Sequence, residues 1–153
     1  NMKWGKENAT DDEIYKALDI AQAREFVDSS SQGLDKMIYQ NGRNLSGGQR
    51  QRLTIARAIV SGSEILILDD SSSALDYATD SKLRKAISEE TQNLTVFIVS
   101  QRATTIKNAD KILVMDDGKI VGIGTHKELL NTCMLYKEIC LSQLSKEEVE
   151  RDA

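Results

Sequence analysis

The 153-residue sequence predicts an α/β fold in two pieces, a helical one over about residues 1–60 and a mainly parallel-stranded one over about 61–153. Three observations carry that reading. Apolar residues recur at helical spacing behind clear N-terminal caps in the first part. Three short runs then follow, Ile65–Leu68, Val96–Val99 and Ile112–Met115, apolar at every position. A helical segment carrying Leu83, Ala86 and Ile87 separates the first two runs, which is the strand–helix–strand alternation of a parallel sheet with crossover helices.

The elements can be justified in order. Thr10-Asp11-Asp12-Glu13 reads as a capping box, with Ile14, Leu18 and Ala21 as the apolar face of the helix behind it. Helix continues over Ala23–Val27 until Ser29-Ser30-Ser31-Gln32-Gly33 breaks it, and Asn41-Gly42 marks a further turn. Ser46 with Gln49 forms a second box, opening a helix that runs to about Val60 and ends before Gly62. Continuously apolar strands suit burial on both faces. Asp117-Gly118 is a two-residue hairpin signal leading into Lys119–Ile123, and the chain from Thr125 onward reads as helix. Cys133 and Cys140, the only thiols, fall seven apart on one predicted helical face, two turns distant and too far for a disulfide.

Composition narrows the function. The chain is 40% apolar and 29% charged, which is globular composition. A formal charge of -4 with no basic cluster gives no electrostatic basis for nucleic-acid binding. No apolar run reaches the ~18 residues of a membrane span; any membrane link is expected to come through a partner or a segment outside this sequence.

Residues 45–52, LSGGQRQR, are the most specific stretch. Unpaired amides at a helix N-terminus attract a phosphate, and glycines let it approach the backbone. Ser46, Gly47 and Gly48 alone favour an ordinary capped helix. The octapeptide, followed by Leu53-Thr54-Ile55-Ala56-Arg57-Ala58, resembles the signature motif of ABC transporter ATPases. Ile65–Leu68 ending in Asp69 is similar to that family's Walker B strand. Ser73-Ala74-Leu75-Asp76 is similar to its D-loop, Ser100-Gln101-Arg102 to its switch loop, and Gly124–Leu130 to its C-terminal GTHxELL segment.

The resemblance implies a P-loop NTPase fold, with residues 1–60 as the helical signature subdomain and 61–153 as the C-terminal half of a RecA-like core with its C-terminal helices. It implies ATP as ligand, contacted by Ser46, Gly47, Gly48 and Gln49, and Mg²⁺ held by Asp69 through water. Ser73 and Asp76 would face the opposite subunit, and Gln40 would lie in the loop that meets transmembrane coupling helices. The lone histidine, His126, reads as structural. Exporters usually have alanine, and importers proline, after the Walker B acidic pair; here Ser71 follows it and the chain has no proline.

The departures from the family matter as much. No G-x-x-x-x-G-K-[ST] loop is present, so the sequence is expected to be a piece of a longer protein, inactive by itself and prone to self-association. The catalytic glutamate position holds Asp70, whose carboxylate sits back by about 1.5 Å. The switch histidine position holds Gln101, which cannot form an imidazolium. Together these imply the weak half of a heterodimeric exporter: its own site is degenerate, while its intact signature completes the site of a second ABC ATPase domain. A regulatory module that holds ATP without consuming it, and a soluble ABC protein, are the alternatives.

Overall fold

The structure is a computed structural model, and it describes residues 1–90 and 94–153. The chain divides into two compact units, Asn1–Val99 and Ser100–Ala153.

In the first unit, α1 (Asp11–Ile20) and α2 (Arg24–Asp28) lead through short 3-10 turns to α3 (Gly47–Val60). Strand β1 (Ile65–Asp69), helix α4 (Tyr77–Glu90) and strand β2 (Thr95–Val99) complete it. The boxes predicted at Thr10 and Ser46 are both formed: each hydroxyl accepts the N–H three residues on, and each glutamate or glutamine returns to the cap's own N–H. One apolar core joins Ile14, Leu18 and Ala21 to Ile55, Ala56 and Val60, and to Leu66, Leu68, Leu83 and Ile87. The helical piece and the β1–β2 pair are thus one packed body. Gly5 marks the closest approach within it, since a Cβ there would stand 2.3 Å from the Arg57 carbonyl oxygen.

β1 and β2 pair in parallel from Ile65 opposite Thr95 to Asp69 opposite Val99, as the alternation predicted. Burial on both faces is not found. Leu66 and Leu68 are buried, but Ile65, Ile67, Phe97 and Val99 on the other face are each more than half exposed. A run apolar at every position states that both faces can be covered; it does not supply the covering element.

The second unit holds α5 (Ala103–Ile106), β3 (Ile112–Asp116), β4 (Lys119–Gly124), α6 (His126–Thr132), α7 (Met134–Gln143) and α8 (Lys146–Asp152). Asp117 and Gly118 both have positive φ, 45° and 73°, the geometry of the predicted hairpin. The third apolar run therefore pairs antiparallel with β4, with a register shift between Val114 and Met115, rather than extending a parallel ladder among the described residues. Ala103, Ile112, Val114, Leu129, Leu130, Tyr136 and Cys140 form this unit's core. Cys133 and Cys140 are buried free thiols, but not on one helix: Cys133, at φ -120° and ψ 104°, is the extended joint between α6 and α7. Among the described residues no helix is long and apolar enough to cross a membrane.

Candidate functional site

The N-terminus of α3 is the natural starting point, because helix geometry leaves its first amides without intrahelical acceptors. Ser46 takes up one of them, accepting from Gln49 N–H at 3.2 Å, while Gln49 Oε1 accepts the Ser46 N–H at 3.0 Å. The amides of Gly47 and Gly48 remain, on a turn where Ser46 and Gly47 are exposed. The glycines also seat the turn on a neighbouring loop. A Cβ at Gly48 would stand 3.0 Å from the Ala74 carbonyl oxygen, and one at Gly47 would lie 3.7 Å from the Ala74 methyl.

That loop carries the acidic positions. Asp69, exposed, ends β1, so its carboxylate stands at the C-terminal edge of the parallel pair, where open α/β sheets take ligands. Asp70 turns the chain away with φ 46°, in the left-handed region that aspartate tolerates better than most residues. Hydrogen bonds fix this conformation. Its N–H donates to the Val99 carbonyl at 3.1 Å, and its own carbonyl accepts from Ser73 N–H at 3.2 Å and Ser73 Oγ at 3.0 Å. Beyond the turn, Asp76 caps α4, accepting from Thr79 N–H at 2.9 Å and Thr79 Oγ1 at 2.7 Å; these bonds hold its carboxyl below the usual range. The signature turn, Asp69, Asp70, Ser73 and Asp76 therefore belong to one continuous surface of the first unit.

Gln101, exposed, opens the second unit two residues after β2, and its carbonyl accepts from Gln143 Nε2 at 2.8 Å. Gln40, also exposed, lies in a short turn with Asn41 (φ 61°) and Gly42 (φ 63°). His126 meets the structural reading. Its Nδ1 lies 2.7 Å from the Tyr136 hydroxyl and its Nε2 3.7 Å from Asp152, with burial pulling its pKa below the ordinary value.

Several supporting residues were not singled out from sequence. Three consecutive side chains of α3 each hold a different segment by a main-chain carbonyl. Arg50 donates to Asn41 O, Gln51 to Asp70 O and Arg52 to Gln22 O, and the Arg52 guanidinium lies 5.1 Å from the Phe26 ring centre. Gln51 also accepts the Ala74 N–H. Below the loop, buried Ser72 donates to Asp80 at 2.6 Å, and Asp80 pairs with Arg84 at 3.1 Å. These pairs join residues as many as 30 positions apart, and polar side chains carry no periodicity that would signal such pairing in the sequence. The Gln51 position was visible only as part of the octapeptide.

Mg²⁺ takes hard oxygen donors, commonly one or two carboxylates with the rest from water and phosphate. The exposed Asp69 carboxylate fits that requirement. The acidic cluster of an all-protein metal cage is absent among the described residues.

Residues 2–73 match the ABC transporter family model. The chain is 48% identical over 96% of its length to an uncharacterized ABC transporter ATP-binding protein, YfiB, of Bacillus subtilis. It is 44% identical over 84% of its length to the beta-(1→2)glucan export ATP-binding/permease protein NdvA of Agrobacterium vitis. The value is also 44%, over 85%, for the ATP-dependent lipid A-core flippase of Desulfotalea psychrophila. The chain spans 25%, 22% and 23% of those three proteins, respectively. A solved bacterial Atm1-family ABC exporter with ATP bound superposes with a TM-score of 0.90 at 32% identity, over 95% of this chain and 26% of that one.

Proposed function

This chain belongs with the ATP-binding domains of ABC transporters, and from that premise we propose that it is the signature-bearing part of an exporter's ATPase. Residues 1–60 act as the signature subdomain and 61–153 as the second half of the ATPase core. In the whole protein, ATP binding and hydrolysis at the cytoplasmic face of a membrane drive transport through a transmembrane domain. The resemblance of the relatives, whose names include an export protein and a flippase, supports this.

The observation that carries the proposal is the exposed, glycine-lined N-terminus of α3 seated on the loop that carries Asp69 and Asp70. Ser46, Gly47, Gly48 and Gln49 contact the phosphates of an ATP held chiefly by a second ATPase domain. Asp69 holds Mg²⁺ for this chain's own nucleotide; the ion, when bound, offsets charge on the phosphate oxygens. Asp70 occupies the base position and Gln101 the switch position. A carboxylate short by one methylene aligns water poorly, since a displacement of about 1 Å can cost ~10²-fold. The chain's own site is therefore slow, and its signature serves the competent site of a different partner. Ser73 and Asp76 face that partner, and Gln40 faces the transmembrane coupling segment. The 153 residues alone, with no phosphate-loop sequence among them, do not hydrolyse ATP measurably.

The test is Gly47→Glu in the intact transporter. Position 47 is exposed and a Cβ there meets only ordinary contact, so the fold survives while a carboxylate meets the incoming phosphates. Loss of most ATP turnover is expected; full turnover would remove the phosphate role. A second reading, a regulatory module that holds ATP unspent, draws on the same Asp70 and Gln101. A partner domain with an intact glutamate and histidine favours transport over it.

A further inference from the structure

Two glutamine amides make the same connection on different elements. Gln51, on α3, donates from Nε2 to the Asp70 carbonyl at 3.1 Å and accepts at Oε1 from the Ala74 N–H at 3.2 Å. Gln143, the last residue of α7, donates from Nε2 to the Gln101 carbonyl at 2.8 Å and accepts at Oε1 from the Ala103 N–H at 2.9 Å. A primary amide presents a donor and an acceptor side by side, so it closes on a main-chain turn from both sides. Each clasped segment begins with one of the two positions given a catalytic role above.

We propose that Gln51 and Gln143 are positioning residues, which set the geometry of positions 70 and 101 by fastening the main chain of their loops to rigid helices. The inference rests on the function proposed above. At Gln51 the consequence is wider. The clasped loop points Asp70 at this chain's nucleotide and Ser73 and Asp76 at the partner. The clasping helix presents Ser46–Gly48 to the partner's nucleotide. Gln51 thus ties the loop of one nucleotide site to the signature of the other within a single chain.

The experiment uses the intact transporter carrying Gln51→Leu, which keeps the side chain as far as Cδ and removes both bonds. Turnover at saturating ATP is expected to fall about tenfold, within the ~10²-fold that a 1 Å misplacement can cost. KM for ATP should shift less than about twofold, because binding contacts made equally before and during reaction are untouched. Residue-resolved hydrogen exchange should show faster exchange at the Ala74 amide with α3 and β1 unchanged. Gln51→Glu keeps the acceptor for Ala74 and sets a carboxylate against the Asp70 carbonyl, so protection returns and turnover stays low. Gln143→Leu should expose the Ala103 amide and likewise lower turnover rather than binding. Turnover within about twofold of wild type, with Ala74 exposed, would overturn the role of Gln51; so would faster exchange throughout α3 and β1. If Gly47→Glu is inactive and Gln51→Leu is normal, only the clasp fails; if both are fully active, the functional reading fails too.

Discussion

Ser46 holds two roles that a pair of substitutions can separate. In the fold it is the N-cap of α3, accepting the Gln49 N–H at 3.2 Å; in the proposed function its hydroxyl meets a phosphate. Ser46→Ala removes the cap acceptor and is expected to cost about 1 kcal/mol of stability. Ser46→Asp keeps an acceptor at that place and adds a negative charge that the helix N-terminus favours, worth about 0.3–1 kcal/mol. Stability should therefore rank aspartate at or above serine, with alanine lowest. Activity should rank differently. A carboxylate about 4 Å from a phosphate charge costs about 4 kcal/mol at an effective dielectric near 20, or close to three orders of magnitude in turnover. Thermal unfolding and ATP turnover of the intact transporter measure the two orders independently. If Ser46→Asp turned over ATP within a few-fold of wild type, no phosphate could be docking at this turn. If it unfolded earlier than Ser46→Ala, the capping assignment would be wrong.

Other outcomes follow from the same structure. On the proposed function, Asp70→Glu with Gln101→His in the intact transporter should raise turnover, and the loop should persist because its bonds at residue 70 use main-chain atoms; unchanged turnover would mean that these positions do not limit the rate. The 153-residue chain alone should self-associate through Ile65, Ile67, Phe97 and Val99, and Ile67→Lys should weaken this; light scattering that shows monomers at high concentration speaks against it. Gly5→Ala should destabilise by about 1–3 kcal/mol, since its methyl would collide with the Arg57 carbonyl; a melting temperature equal to wild type would contradict that packing. Acid should weaken the second unit in two stages. Burial depresses the pKa of His126, so the unfolded chain binds its proton more readily and stability falls as pH drops below about 6.5. Bonds from the Thr125 and Ser145 N–H groups depress those of Glu128 and Glu148, whose contribution is present above about 4.5 and lost as pH falls through their folded values. Denaturation midpoints that stay flat from pH 7 to 5 would contradict the first shift, and midpoints flat from pH 5 to 2.5 the second.

What could be read from the sequence was local. Caps at Thr10 and Ser46 need one hydroxyl and one partner three residues on, and both formed. The Asp117-Gly118 turn needs two residues that accept positive φ, and it formed as well. The candidate site was legible to the same degree: α3 and β1 each announce their ends, so Ser46 and Asp69 could be placed before any fold was known. The contacts between them could not. Nothing in the spacing says that Gly48 faces the Ala74 carbonyl or that Gln51 reaches Asp70, because both depend on how α3 lies against the loop. The continuously apolar runs also could not reveal the bare face of β1 and β2, since a strand records its affinity for cover and not the presence of cover. Cys133 escaped for a related reason: helical spacing continues through residue 133 while the backbone does not.

Arg50, Gln51 and Arg52 are consecutive, so their side chains leave α3 about 100° apart and cannot serve the same neighbour. Their acceptors at Asn41, Asp70 and Gln22 are carbonyl oxygens, which every amino acid supplies. The bonds therefore do not depend on the side chains at those three positions, where the positive φ of Gln22, Asn41 and Asp70 (56°, 61° and 46°) is what restricts the residue type. Helix α3 thus moors three separate stretches of chain through atoms common to every residue, and the frame outlasts a change in the chemistry carried at position 70.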